Sequence, residues 1–129
     1  MTHSILQKIL HVDDDTVMRM MVKKALERSQ KGFDVVSCAS AHEFLDKITP
    51  FSPDLLIIDV IMPIMTGPVL LEKVRGLSIK TPAVFMTGQE MVEIQNREKM
   101  EPILGIIQKP FSPASLGDDL IKLWNGFSD

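Results

Sequence analysis

Three aspartates, a threonine and a lysine are the residues of this 129-residue chain whose types and positions point to chemistry. Asp13 and Asp14 directly follow a short apolar run at residues 9–12, and Asp59 closes another at residues 55–58. Read as strands, these runs place all three carboxylates at C-terminal strand ends. In an open α/β sheet ligands bind outside those ends, where strand order reverses, and for the order 2-1-3-4-5 that point lies between the first and third strands. The carboxylates are therefore expected to converge. Like charges repel, and each buried carboxylate needs a cation or hydrogen-bond donors to offset its desolvation. An all-oxygen donor set without a Cys/His cluster favours Mg2+ over zinc. Thr87 and Lys109 end two further apolar runs on the same rim. A metal, an ammonium and a hydroxyl donor can together stabilise charge on a transferring phosphoryl group, and an aspartate can be its nucleophile.

The elements that must position these residues follow from periodicity. Apolar runs at residues 9–12, 55–58, 83–86 and 104–107 read as strands covered on both faces, and the more mixed residues 33–38 as an edge strand. Stretches of helical period separate them, which is the pattern of five β-α units and a parallel sheet flanked by helices. The first helix follows Asp15 as N-cap, with Met18, Met21, Val22 and Ala25 facing the core and Arg19, Lys23 and Glu27 facing solvent. Ser40 and Glu43 form a capping box for the second, whose stripe of Ala41, Phe44, Leu45 and Ile48 ends before Pro50. The third opens at Pro68, carries Leu70, Leu71 and Val74, and stops at Gly76. A fourth is expected over residues 89–100, where Met91 and Ile94 stand almost alone among polar side chains. Ser112 and Pro113 open the fifth, with Leu116, Leu120, Leu123, Trp124 and Phe127 on its buried face.

Apolar residues at 45% and charged residues at 24% predict an ordinary globular domain, read as a single unit over residues 1–129. The net charge of −3 supplies no basic field for direct binding of nucleic acid or an anionic membrane. No apolar run approaches the roughly 20 residues of a membrane span. A lone Cys38 and the lack of a basic-then-apolar leader predict a cytoplasmic protein.

The chain resembles the receiver domains of bacterial response regulators from Lys8 to about Trp124. The matching pieces are Ile9-Leu10-His11-Val12-Asp13-Asp14-Asp15, the stretch from Pro53 through Asp59 to Pro63 with Gly67, Met86-Thr87-Gly88, and Lys109-Pro110-Phe111. The resemblance implies a flavodoxin-like, doubly wound fold and a phosphoryl-accepting switch. It makes Asp59 the phosphoacceptor, and Asp14, Asp59 and the backbone carbonyl of Ile61 direct Mg2+ ligands, with Asp13 acting mainly through metal-bound water. Lys109 would hold the phosphoryl group, and Thr87 would bond one of its oxygens. A cis Lys109–Pro110 peptide is expected. The implied partners are a sensor histidine kinase or phosphotransfer protein and a downstream target, with the chain a monomer or weak dimer. The readout would lie on the face of the fourth helix, fifth strand and fifth helix.

Two departures matter. Ile106 stands where the family usually carries Tyr or Phe, so an aromatic rotamer switch is unavailable. Ile61 and Gln89 flank the site at positions that influence phosphoryl hydrolysis, and an apolar Ile61 predicts slow loss of the group. Two other functions compete: an interaction module independent of phosphorylation, and a phosphatase with an aspartyl intermediate, which would need a second acid/base carboxylate where Ile61 stands. His3, His11 and His42 share no metal-binding spacing. Met18, Met21 and Met86 are expected as core fillers and Cys38 as a small buried residue.

Overall fold

The computed structural model describes residues 4–88 and 94–127. Five parallel strands, β1 (Lys8–Val12), β2 (Asp34–Cys38), β3 (Leu55–Asp59), β4 (Ala83–Thr87) and β5 (Ile103–Gln108), form one sheet in the order β2-β1-β3-β4-β5. Alternate residues of each strand enter opposite cores, as the period of two requires. Leu10, Val12, Leu56, Ile58, Ala83 and Phe85 pack with Phe44, Ile48, Leu70, Leu71 and Val74 on one side. Ile9, Leu55, Ile57, Val84 and Met86 pack with Val22, Leu26, Leu116, Leu120 and Trp124 on the other. The first layer thus holds α2 (Ala41–Phe51) and α3 (Gly67–Gly76), and the second α1 (Thr16–Arg28) and α4 (Leu116–Phe127). β1 pairs with both β2 and β3, so the chain leaves it in one direction and β3 in the other, opening a crevice above their C-terminal ends.

The caps follow the local sequence. Asp15 accepts from the Met18 amide at 3.0 Å and starts α1. Ser40 accepts from Glu43 N at 3.1 Å, and the Glu43 carboxylate accepts from Ala39 N at 2.7 Å, so the reach back of the capping box lands one residue earlier than its usual target. The helix does not stop before Pro50. It continues to Phe51, since a proline in the last turn forfeits one hydrogen bond while Phe51 still packs on the core, and Ser52 in the left-handed region closes it. Thr66 caps α3, with Pro68 in its first turn.

Four α-helices, not five, occur among the described residues. Of the helix expected over residues 89–100, residues 89–93, which include Gln89 and Met91, lie outside the described part. The remainder holds only a 3₁₀ turn, Arg97–Lys99, preceded by Asn96 in the left-handed region without a side-chain cap. Ile94 and Met100 alone supply apolar surface there, too little to offset the cost of helix nucleation. β5 is a second edge strand rather than a covered one: Ile106 is 40% exposed, and Leu104 and Ile107 are partly buried. Met21 and Phe127 also lie at the surface rather than in the core, whereas Met86 and Cys38 are buried as expected. Both Glu101–Pro102 and Lys109–Pro110 are cis. No described helix is long and apolar enough to cross a membrane.

Candidate functional site

Asp13 and Asp14 directly follow β1 and Asp59 ends β3, and the register Val12 to Ile58 sets the carboxylates beyond that pair side by side. Oxygens of Asp13, Asp14 and Asp59 all lie within 4.8 Å of one another. Asp13 and Asp59 are buried, and Asp14 is exposed at the mouth. From the far side of the sheet β5 delivers Lys109, whose Nζ lies 2.9 Å from Asp59 Oδ1 and 3.2 Å from Asp13 Oδ2. Its backbone is fixed by a 2.7 Å bond from Lys109 N to the Thr87 carbonyl. Thr87 itself is buried at the end of β4, one residue beyond Met86, which pairs with Asp59.

The electrostatics follow from this packing. Burial raises the Asp59 carboxyl above the ordinary range, and the charges of Asp13 and Asp14 push the same way, while Lys109 opposes them without prevailing. For Lys109 burial favours loss of the proton, but bonds to Asp59 and Asp13 outweigh it and the ammonium is held more firmly than usual. Three carboxylates facing one ammonium leave about two negative charges, which is what one divalent cation neutralises. An all-oxygen set of carboxylates gathered within 4.8 Å, without Cys or His, is the donor chemistry that Mg2+ takes. The residues fit the group.

The sequence reading missed two supports. Arg19, assigned to the solvent face, donates from Nη1 to the Asp13 carbonyl at 2.8 Å. Asp13 Oδ1 also accepts from Asp15 N at 2.9 Å, so Asp15 serves the site with its backbone as well as capping α1. The available signal was spacing: Arg19 lies one turn beyond the N-cap, on the face nearest the preceding loop. Ile61, the third expected metal ligand through its carbonyl, lies two residues beyond β3 and is 56% exposed.

Residues 9–121 match the family described as the response regulator receiver domain. The chain belongs to that family. This receiver is 30% identical over 114 residues to the alkaline phosphatase synthesis transcriptional regulatory protein PhoP of Bacillus subtilis, a match covering 83% of this chain and 44% of that protein. It is likewise 30% identical over 123 residues to a protein-glutamate methylesterase/protein-glutamine glutaminase of Clostridium acetobutylicum, covering 89% and 35%. The receiver thus spans less than half the length of either. Among solved structures it superposes on the Vibrio cholerae chemotaxis response regulator CheY4 with a TM-score of 0.78 at 32% identity, covering 92% of this chain and 98% of that one. A receiver domain of Methanospirillum hungatei gives 0.76 at 31% identity, covering 95% and 98%.

Proposed function

We propose that this receiver, acting as one unit over residues 1–129, takes a phosphoryl group on Asp59 from a phosphohistidine of a sensor histidine kinase or phosphotransfer protein in the cytoplasm. The observation that supports it most is the convergence of three carboxylates within 4.8 Å, with Lys109 bridging two of them. Mg2+ would be held by the carboxylates of Asp14 and Asp59 and the Ile61 carbonyl, with Asp13 acting through metal-bound water, and when bound it neutralises the cluster and the oxygens of the transferring group.

The chain's own residues do the rest. A carboxylate oxygen of Asp59 attacks phosphorus in line, the new O–P bond forms as the P–N bond breaks, and the electron pair returns to the donor imidazole. Lys109 partly offsets the cost of ionising the buried Asp59, then follows the charge onto a phosphoryl oxygen. The Thr87 hydroxyl donates to another phosphoryl oxygen. The apolar, exposed Ile61, two residues beyond Asp59, would obstruct the attacking water, so self-dephosphorylation should be slow. The readout is a change in β5, α4 and the segment over residues 94–100 that precedes β5, which alters affinity for a target protein, with Ile106 giving no aromatic rotamer signal.

The test is direct. With magnesium and acetyl phosphate the chain gains the mass of one phosphoryl group, stable in acid and lost in base; chelation or Asp59→Asn abolishes it. No gain under these conditions refutes the reading. Thr87→Ala should still be labelled but lose the change in amide exchange that labelling produces at the C-terminal end of β5, where Thr87 pairs with Gln108.

A further inference from the structure

α3 is fastened at both ends, and the two fastenings join the acceptor residue to the entrance of β5. At its start, Gly67 N donates to the Val60 carbonyl at 2.9 Å, and Gly67 lies so close to β3 that a Cβ there would overlap the Asp59 carbonyl oxygen. Along its length Leu70, Leu71 and Val74 are fully buried, so the helix cannot slide without repacking that core. At its end the buried Arg75 guanidinium donates to four backbone carbonyls. Nε reaches Met100 at 2.9 Å, Nη1 reaches Ile79 at 2.9 Å and Thr81 at 2.7 Å, and Nη2 reaches Pro102 at 3.0 Å. The Pro102 carbonyl also accepts from Ala83 N at 3.0 Å, so one cation ties the residues before both β4 and β5 to the helix.

We infer that α3 and Arg75 form a second route from Asp59 to the β5 edge, carrying displacement of the Asp59–Ile61 backbone to Met100 and Pro102 independently of Thr87. The inference rests on Asp59 as phosphoacceptor. A packed helix moves as a body, so a shift at Gly67 reappears at Arg75, and a planar donor bound to four carbonyls transmits it to all of them. The route matters in this chain because Ile106 offers no aromatic coupling through β5.

Arg75 is a positioning residue, and the test reads its coupling rather than its contribution to stability. Amide exchange over residues 100–104 is measured with magnesium, with and without beryllofluoride, in the wild type, Arg75→Met and Arg75→Lys. The wild type is expected to respond. In Arg75→Met that response should fall by about threefold or more while Asp59 still becomes labelled from acetyl phosphate. Arg75→Lys keeps the charge but not the fork, serves as the milder variant should Arg75→Met fail to fold, and should give an intermediate response. Labelled variants with a wild-type response would overturn the route and leave the acceptor reading intact. A wild type that is neither labelled nor responsive to beryllofluoride would overturn the acceptor reading and this inference with it.

Discussion

Lys109 Nζ lies between Asp59 and Asp13, yet the Asp59 carboxyl still sits above its ordinary pKa because burial outweighs the bridge. The folded state therefore holds a proton on Asp59 more tightly than the unfolded chain does, and the wild type loses stability as pH rises from the usual carboxylate range through the raised folded value. Asp59→Asn removes that loss. Without magnesium it should melt above the wild type at neutral pH, with the advantage shrinking in acid; calorimetry against pH checks this. His11 acts in the opposite sense. Burial, then the Lys109 and Arg19 charges, lower it from 6.5 to about 3, and its Nδ1 lies 3.1 Å from Ser37 Oγ. Only the unfolded chain binds the proton between those values, so stability is full above about 6.5 and lost as pH falls toward 3. The loss between pH 7.5 and 5 should be about 2 kcal/mol, and His11→Asn should escape it in urea titrations.

Among the elements, α3 is the most sensitive to a single added methyl. Gly67→Ala would drive a Cβ into backbone rather than a flexible side chain, so the helix start or the Asp59 peptide must move. A stability loss of about 1–3 kcal/mol is expected, with slower labelling of Asp59, measured by urea unfolding and a phosphorylation time course. The elements also differ in how plainly the sequence announced them. β1, β3 and β4 are nearly continuous apolar runs, with His11 the break within β1, because both faces are covered, and their bounds were read to within a residue. β5 misled by composition: Ile106 and Ile107 look like core, although the expected order 2-1-3-4-5 already makes the fifth strand an edge, and Ile106 is 40% exposed there. Pro50 marked a helix end that Phe51 packing overrode. The segment over residues 89–100 carried too few apolar residues to specify a helix, and its described part forms only the Arg97–Lys99 turn.

Over the whole molecule, the acidic cleft joins β1, β3 and, through Lys109, β5, so its occupancy should be felt by global unfolding. Magnesium at 100 times its dissociation constant should add about 2.7 kcal/mol to the unfolding free energy. Asp14→Asn should lose most of that gain in a melt with and without the ion. Asp13, Asp14, Asp59, Thr87 and Lys109 were legible because each ends an apolar run, and topology alone brings strand ends together. Arg19 and Arg75 were not, since their roles lie in bonds to backbone carbonyls and a sequence does not show which carbonyls come near. The central claim is that Asp59 itself carries the phosphoryl group. Borohydride reduces an aspartyl phosphate to homoserine, so the chain treated with magnesium and acetyl phosphate, trapped with borohydride and sequenced by tandem mass spectrometry should show homoserine at position 59. Homoserine at another aspartate, or none in a chain that has gained phosphoryl mass, would contradict the account.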